Sequence, residues 1–330
     1  MPTRHGEISC SHPNVHRHGE RRRRCADCGA TWSVWKHRRG RKKRARRSKR
    51  LQRTFQHGFT VSQQAFLSGT KYEATKTRHR SILWSLVRKP WPKIRLQGRL
   101  ILLMDGLWFR ILGERWIVYL MALRSVSGHT VHFLRPIVRR ENESREGWER
   151  AVAHIPASSQ KRICALVSDG LRGLRSLAHE RGWSYQWCHF HLLGRMANVF
   201  GTRKKTLTWM NGRRRAEKCI RELIATASQK RVRSLKRTLA SMTRDPECPR
   251  KIRMIIREVL RHTDELRAYL DHPELRLPAT SNVMESLNSR LRGMAGRSRG
   301  FRTGQALERW ITAYVYFHSN GKCYPKIPQN

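Results

Sequence analysis

The feature that most constrains this chain is an acid inside an apolar strand. Asp105 follows the run Leu100-Ile-Leu-Leu-Met104, and Gly106-Leu-Trp108 continues the pattern beyond it. The stretch from Arg99 to Leu112 reads as a β-strand, so the sequence asks for a carboxylate in a mostly buried position. Burying a lone carboxylate costs several kcal/mol unless a cation or a set of donors meets it. Whatever fold forms must therefore bring such a partner to Asp105.

The pattern around it sets the fold class. After the first strand, Arg115 to Arg124 and His129 to Val138 continue as β segments, with turns at Gly113-Glu114 and Ser127-Gly128. Glu141 to Ile155 predicts a helix, Ile163 to Val167 a buried strand, Leu171 to Gly182 a helix, and Tyr185 to Phe190 another strand. Three antiparallel strands followed by alternating helix and strand is the order of a ribonuclease H-like fold. From residue 192 to 275 the period becomes helical: Ile220, Leu223, Ile224 and Ala227 fall at i, i+3, i+4, i+7, as do Ile252, Ile255, Ile256 and Val259. Helices from Ser281 to about Met294 and from Thr303 to Phe317 close the chain. The expected architecture is α/β: a ribonuclease H-like catalytic core interrupted by an all-helical insert, preceded by a zinc ribbon and a helix-turn-helix. The boundaries are residues 1–37 for the ribbon and 38–92 for a basic linker with the helix-turn-helix. The core takes 93–195, the insertion 196–278, and the last part of the core 279–330.

The front of the chain explains the ribbon. Residues 1–50 carry 17 Lys and Arg against Glu7, Glu20 and Asp27, with almost no aliphatic side chains, so no hydrophobic core can form there. Cys10, His12, Cys25 and Cys28 supply thiolate and imidazole ligands in two clusters, as a tetrahedral zinc ribbon requires, with Gly19 at the hairpin tip. The second half, Cys25-Ala-Asp-Cys28-Gly29, is a clean knuckle; in the first half Pro13 stands where a second cysteine belongs, and His16 and His18 compete for the fourth position. The alternative is a disordered basic arm. Arg38 to Arg50 is a basic run suited to lie along phosphates. Phe59 to Phe66, Gly69-Thr70 and Tyr72 to Val87 have helix-turn-helix spacing, with Gly69 at the turn and Lys71, Lys76, Arg78 and Arg80 facing DNA.

Across its 330 residues the chain sets 70 Lys and Arg against 23 Asp and Glu, a formal charge of +47 that opposes self-association unless a polyanion screens it. Eleven tryptophans and a 38% apolar share speak against a disordered polycation. The scattered cysteines do not read as a disulfide framework. No apolar run nears the ~20 residues of a membrane helix, and no signal-peptide core follows Met1, so neither a membrane span nor a secreted protein is expected.

With so few acids, two others stand out. Asp169 ends the strand Ala165-Leu-Val-Ser-Asp169-Gly170, although Ser-Asp-Gly is also ordinary N-cap chemistry. On the late helix, Met284, Leu287, Leu291 and Met294 form an apolar stripe, and Asn282, Glu285, Ser289 and Arg292 a polar one beside it; a capping box from Asn282 to Glu285 is the competing explanation. Two acids on adjacent strands and one on a late helix suit a pair of divalent metals about 3.5–4 Å apart. Carboxylates are the oxygen ligands that Mg²⁺ prefers.

Asp105, Asp169 and Glu285, with Cys188-His-Phe-His191 after the second acid and a helical stretch before the third, resemble the DDE transposases of bacterial insertion sequences. The likeness covers residues 98–320 and is strongest to the Mutator-like-related group, whose mark is a Cys, two residues, then His; Cys188 and His191 match it. The helix Asn282…Glu285…Asn288…Arg292 also looks like that group's glutamate helix. The resemblance implies a DNA transposase that binds transposon ends and catalyses metal-dependent strand cleavage and strand transfer. It further implies Asp105, Asp169 and Glu285 on two Mg²⁺ (or Mn²⁺) ions, with Cys188, His191, Asn282 and Arg292 supporting them. The implied partners are double-stranded DNA, as terminal inverted repeats and target, and further copies of the chain in a homodimer or higher oligomer on that DNA. The implied location is the bacterial cytoplasm, at the nucleoid. The alternatives are a catalytically inactive, transposase-derived DNA-binding protein and a structure-specific nuclease on the same fold.

Overall fold

The computed structural model describes residues 10–19, 22–33, 49–50, 52–54, 58–201, 208–297, 300–318 and 320–322. Most of the basic run from Arg38 to Arg50 falls outside them. The chain divides into two units, Met1–Arg53 and Thr54–Asn330.

In the first unit, β1 (Val15–Arg17), β2 (Arg22–Cys25) and β3 (Thr31–Ser33) form an antiparallel sheet in the order β1-β2-β3. Gly19, with φ +77°, lies in the β1–β2 turn as its spacing predicts. Among the described residues of this unit Cys25 is the only buried apolar side chain, so the sheet has no hydrophobic core to hold it.

The second unit is mixed α/β. A helix pair, α1 (Val61–Leu67) and α2 (Tyr72–Val87), opens it. A capping box between Thr60 and Gln63 starts α1, Gly69 takes φ +58° between the helices, and buried Gln64 and His79 join them at 2.8 Å.

β4 (Leu100–Ile111) and β5 (Glu114–Ser125) then run as a long antiparallel hairpin. Its two-residue turn is Leu112-Gly113, not the expected Gly113-Glu114. Both residues have positive φ (51° and 84°), which the right-handed twist of a tight hairpin demands. The third β segment is two short strands, β6 (Thr130–Phe133) and β7 (Ile137–Arg139), both paired to β5. α3 (Arg145–Ala153) and the single turn α4 (Ala157–Gln160) lead to β8 (Ile163–Ser168), α5 (Arg172–Glu180) and β9 (Ser184–Trp187).

Then come α6 (His189–Phe200), α7 (Met210–Leu223), α8 (Gln229–Met242), α9 (Arg250–Arg261) and α10 (Thr263–Asp271). α11 (Asn282–Arg297), α12 (Gly304–Phe317) and β10 (Asn320–Lys322) end the chain. The sheet order is β10-β6-β5-β4-β8-β9, antiparallel from β10 to β4 and parallel from β4 to β9.

Leu100, Leu102 and Met104 on β4 enter an apolar cluster that runs through Trp148, Trp187 and Phe200 into Ile220, Leu235, Ile256 and Leu266 of the helical segment. The helices from α6 to α10 therefore share the core of the sheet. Polar bonds seal this edge: Gln186 of β9 donates to the Leu266 carbonyl at 3.2 Å and accepts from the Tyr269 N–H at 2.8 Å. Ile252, Ile255, Ile256 and Val259 are all buried, as their spacing predicts, whereas α7 ends at Leu223 and leaves Ala227 exposed beyond it. Among the described residues no helix is long and apolar enough to cross a membrane.

Candidate active site and metal centre

Strand alternation sends Leu100, Leu102 and Met104 to one side of β4 and Ile101, Leu103 and Asp105 to the other. Asp105 is only 3% exposed. The parallel ladder between β4 and β8 ends with Leu103 beside Val167, so Asp105 and Asp169 stand level two residues further along. Asp169 is half-buried where β8 ends, and its carboxylate accepts the Leu171 N–H at 3.1 Å. That bond closes a turn over Gly170, at φ +92°, which lies against the Trp187 indole; a Cβ there would come within 2.3 Å of the ring. Helix α5 starts at Arg172 with no side-chain cap, so Asp169 shapes the turn without capping the helix.

Glu285 comes from α11. The helix begins at Asn282, which is exposed, so Asn282 is not the cap residue and no capping box forms. Glu285 Oε1 instead lies 2.6 Å from His191 Nε2, which is also 3.8 Å from Asp105 Oδ1. One turn on, Asn288 Nδ2 donates to Asp105 Oδ2 at 2.5 Å. Asn288 is 4% exposed, and among the described residues its Oδ1 has no hydrogen-bond partner.

His191 reaches this point because the predicted strand Tyr185–Phe190 stops at Trp187 and α6 begins at His189, with Cys188 as its N-cap residue. Buried Cys188 Sγ accepts from both the N–H and the hydroxyl of Ser281 at 3.3 Å, tying the start of α6 to the start of α11. His189 N–H donates to the Ala279 carbonyl at 2.9 Å and reinforces the joint. Ligand atoms of Cys188, His191 and Glu285 lie within 4.8 Å of one another.

A fourth acid, absent from the sequence-based set, stands here. The predicted helix Glu141–Ile155 starts only at Arg145, capped by Ser144, which leaves Glu143 in the preceding loop. Its carboxylate packs against Gly106 and accepts from Trp148 Nε1 at 2.9 Å. Burial, then the neighbouring charges of Glu285, Asp169 and Glu143, push the Asp105 carboxyl up to about 8 against the opposing pull of His191. Burial and the Asp169 charge likewise raise Glu143. Burial works against a charge on His191, but Glu285, Asp105 and Asp169 outweigh it and raise its basicity. Asp105 and Glu285 thus stand on either side of one imidazole, with the Asn288 amide bonded to Asp105.

The structure does not bring every expected residue to this point. Asn282 and Arg292 are exposed, and among the described residues no hydrogen bond or ion pair joins either to the acids; Asn282 accepts from the Thr280 hydroxyl at 2.7 Å. Asn288, not Ser289, shares the inward face with Glu285. The signal was Asn288 at i+3 from Glu285; nothing in sequence marked Glu143.

In the N-terminal unit Cys10, His12, Cys25 and Cys28 converge, with all four ligand atoms within 4.8 Å. Cys10 and Cys25 sulfurs are 3.8 Å apart, and Cys28 Sγ lies 3.4 Å from His12 Nδ1. Tetrahedral zinc with bonds of about 2.3 Å to sulfur and 2.0 Å to nitrogen has edges of about 3.8 and 3.5 Å, so the cluster fits the ion. The Cys28 N–H, followed by the His12 ring, holds Cys25 down to about 7, which favours the thiolate that a metal needs. His16 and His18 are exposed and outside the cluster.

On α2, Lys71, Arg78 and Arg80 are exposed, while Lys76 is partly covered and paired with Glu73 at 3.1 Å. At about 100° per residue, Lys71 and Arg78 share one flank and Lys76 and Arg80 the other, so the four do not form one face. No protein-family model matches the chain, and no curated protein matches it in sequence.

Proposed function

We propose that this chain cuts and joins DNA as a DDE-type transposase, with Asp105, Asp169 and Glu285 as its catalytic carboxylates. The observation that carries this reading is that Asp105 of β4 and Glu285 of α11, far apart in sequence, meet around His191, with Asp169 at the end of the neighbouring strand β8 near enough for its charge to act on Asp105. The strand order β6-β5-β4-β8-β9, with β4 antiparallel to β5 and parallel to β8 and β9, is the order expected of a ribonuclease H-like core and supports it. So does the stretch of helices between β9 and α11, where that family carries an insertion.

The three carboxylates would hold two Mg²⁺ or Mn²⁺ ions, which supply the charge that activates an attacking hydroxyl and steadies the leaving 3′ oxygen. Asn288 fixes the Asp105 carboxylate by its short bond. His191 lies between Glu285 and Asp105, whose charges raise its basicity, and in its protonated form it offsets the repulsion among the acids. The Cys188–Ser281 bonds hold α6 and α11 so that His191 meets Glu285.

The formal charge of +47 supports DNA as the partner, bound first through phosphates. The zinc ribbon and the α1–α2 pair, read as a helix-turn-helix, would select the transposon ends, and an assembly of two or more copies would hold them together. The test is a duplex taken from the DNA flanking the coding sequence, incubated with the full chain and Mg²⁺. The wild type cleaves it and joins the cut end to a target. Asp105→Asn and Glu285→Gln retain binding and lose both steps. Cleavage by either folded variant refutes the reading, and cutting without any joining favours a nuclease.

A further inference from the structure

The hairpin of β4 and β5 runs well past the acids. Leu112, in its turn, comes seven residues after Asp105, about 23 Å at the rise of an extended strand. One face of this outer part is packed. Ile111 is buried, the Phe109 ring meets Phe301 edge-on at 5.7 Å, and Trp116 lies against Gly304, where a Cβ would come within 2.0 Å of its ring. Asp105 belongs to this face, by the alternation of β4.

The other face is cationic. Pairing sets Arg110 directly opposite Arg115, and Arg139 of β7 opposite Ile117, so the three arginines and Trp108 share one side. The three arginines are exposed, and among the described residues none has an ion pair or a hydrogen bond; Glu114, the acid next to the turn, is taken by Arg140 at 2.6 Å. Like charges set directly opposite on a ladder repel, so the Arg110–Arg115 pair weakens the hairpin unless an anion lies across it.

The turn adds a second cost. Leu112 takes the first of its two positions at φ +51°, which asparagine or glycine adopts readily and a bulky apolar side chain does not. No packing offsets this strain, since Leu112 is 87% exposed. Local stability thus favours neither the leucine nor the opposed arginines. An apolar side chain held out on a braced hairpin beside unpaired arginines suits a duplex, whose phosphates take the cations and whose base step admits a wedge.

We propose that the end of the β4–β5 hairpin is a second DNA-binding surface, with Leu112 wedged between base pairs and Arg110, Arg115 and Arg139 on the flanking phosphates. DNA as the partner is taken from the reading above; the new contact lies apart from the acids and bends the duplex it holds.

The experiment uses the full chain without Mg²⁺ and a mixed-sequence duplex with a fluorophore at each end. Anisotropy reads binding, and energy transfer between the ends reads bending. The wild type bends the duplex by about 20–90°, the range of wedge-inserting proteins. Leu112→Asn, which suits the turn better, unfolds at an equal or higher temperature, still binds, and leaves the duplex nearly straight; Leu112→Phe keeps the bend. Arg110→Ala, Arg115→Ala and Arg139→Ala combined lower the slope of log K against log salt by nearly three, at about 0.9 per phosphate contact. The wedge is refuted if the wild type binds without bending, or if folded Leu112→Asn bends the duplex as the wild type does. An unchanged salt slope in the arginine variant refutes the surface. Should Leu112→Asn alter the mass of the DNA-free assembly and leave the bend intact, the turn is a contact between copies, which also overturns the assignment. If the wild type binds no duplex, DNA as the partner fails, and this surface with it.

Discussion

Asp169→Asn separates chemistry from architecture because the structure shows what the substitution keeps. The Asp169 carboxylate accepts the Leu171 N–H at 3.1 Å, and the amide oxygen of asparagine accepts the same bond. The turn over Gly170 and its contact with Trp187 therefore survive, and stability changes by less than about 1 kcal/mol, the net worth of one such bond. The charge does not survive. Bound cations stabilise the transition state by several kcal/mol, and at about 1.4 kcal/mol per factor of ten the loss is about a hundred- to ten-thousandfold in cleavage rate. The assay pairs urea unfolding of both proteins with the nicking of a labelled transposon-end duplex in Mg²⁺. Equal unfolding midpoints with cleavage lost is the expected result. A folded Asp169→Asn protein that nicks at the wild-type rate would remove Asp169 from the chemistry and leave it a turn residue.

Three further outcomes are expected. Co²⁺ added to the metal-stripped chain should give a thiolate charge-transfer absorption that Cys25→Ser, Cys10→Ser and His12→Ala each weaken or remove, while His16→Ala and His18→Ala do not; a band indifferent to Cys10 and His12 would disprove the four-ligand cluster. Mn²⁺ affinity should rise with pH and level off above about 8, because below that value the ion must displace the proton that burial and the neighbouring acids hold on Asp105. Calorimetry in buffers of different ionisation enthalpy should show proton release at pH 7, and a pH-independent affinity would contradict the burial of Asp105. Lys71→Ala with Arg78→Ala, on the shared flank of α2, should lower the slope of log K against log salt by about two, and Lys76→Ala by less because Glu73 already pairs with it.

Much of the fold and part of the site could be read from local pattern alone. The Leu100–Met104 run dictated a buried strand, and its alternation determined that Asp105 points away from the Leu102 side, since side chains along a strand change faces at every step. The cysteines and histidine of the first unit had to meet, because a segment with almost no apolar residues has nothing else to hold it. The Ile252 to Val259 stripe fixed which face of α9 is buried. Where the competing readings were both local, as with N-capping by Asp169 or a capping box at Glu285, only the tertiary structure chose. It moved the start of α11 to Asn282 and turned Glu285 toward His191. It also changed Cys188 from a strand residue to the joint between α6 and α11, through Ser281, a residue distant in sequence. Asn288 in place of Ser289 on the inward face is a rotation of one residue, set by how α11 lies on β4. Glu143 had no signal in sequence, because a loop carboxylate follows no periodicity; its place was decided by Trp148 in the core and by the space left at Gly106. Periodicity specifies which face of an element is buried, but the groups that meet across that face are chosen only when separate elements pack.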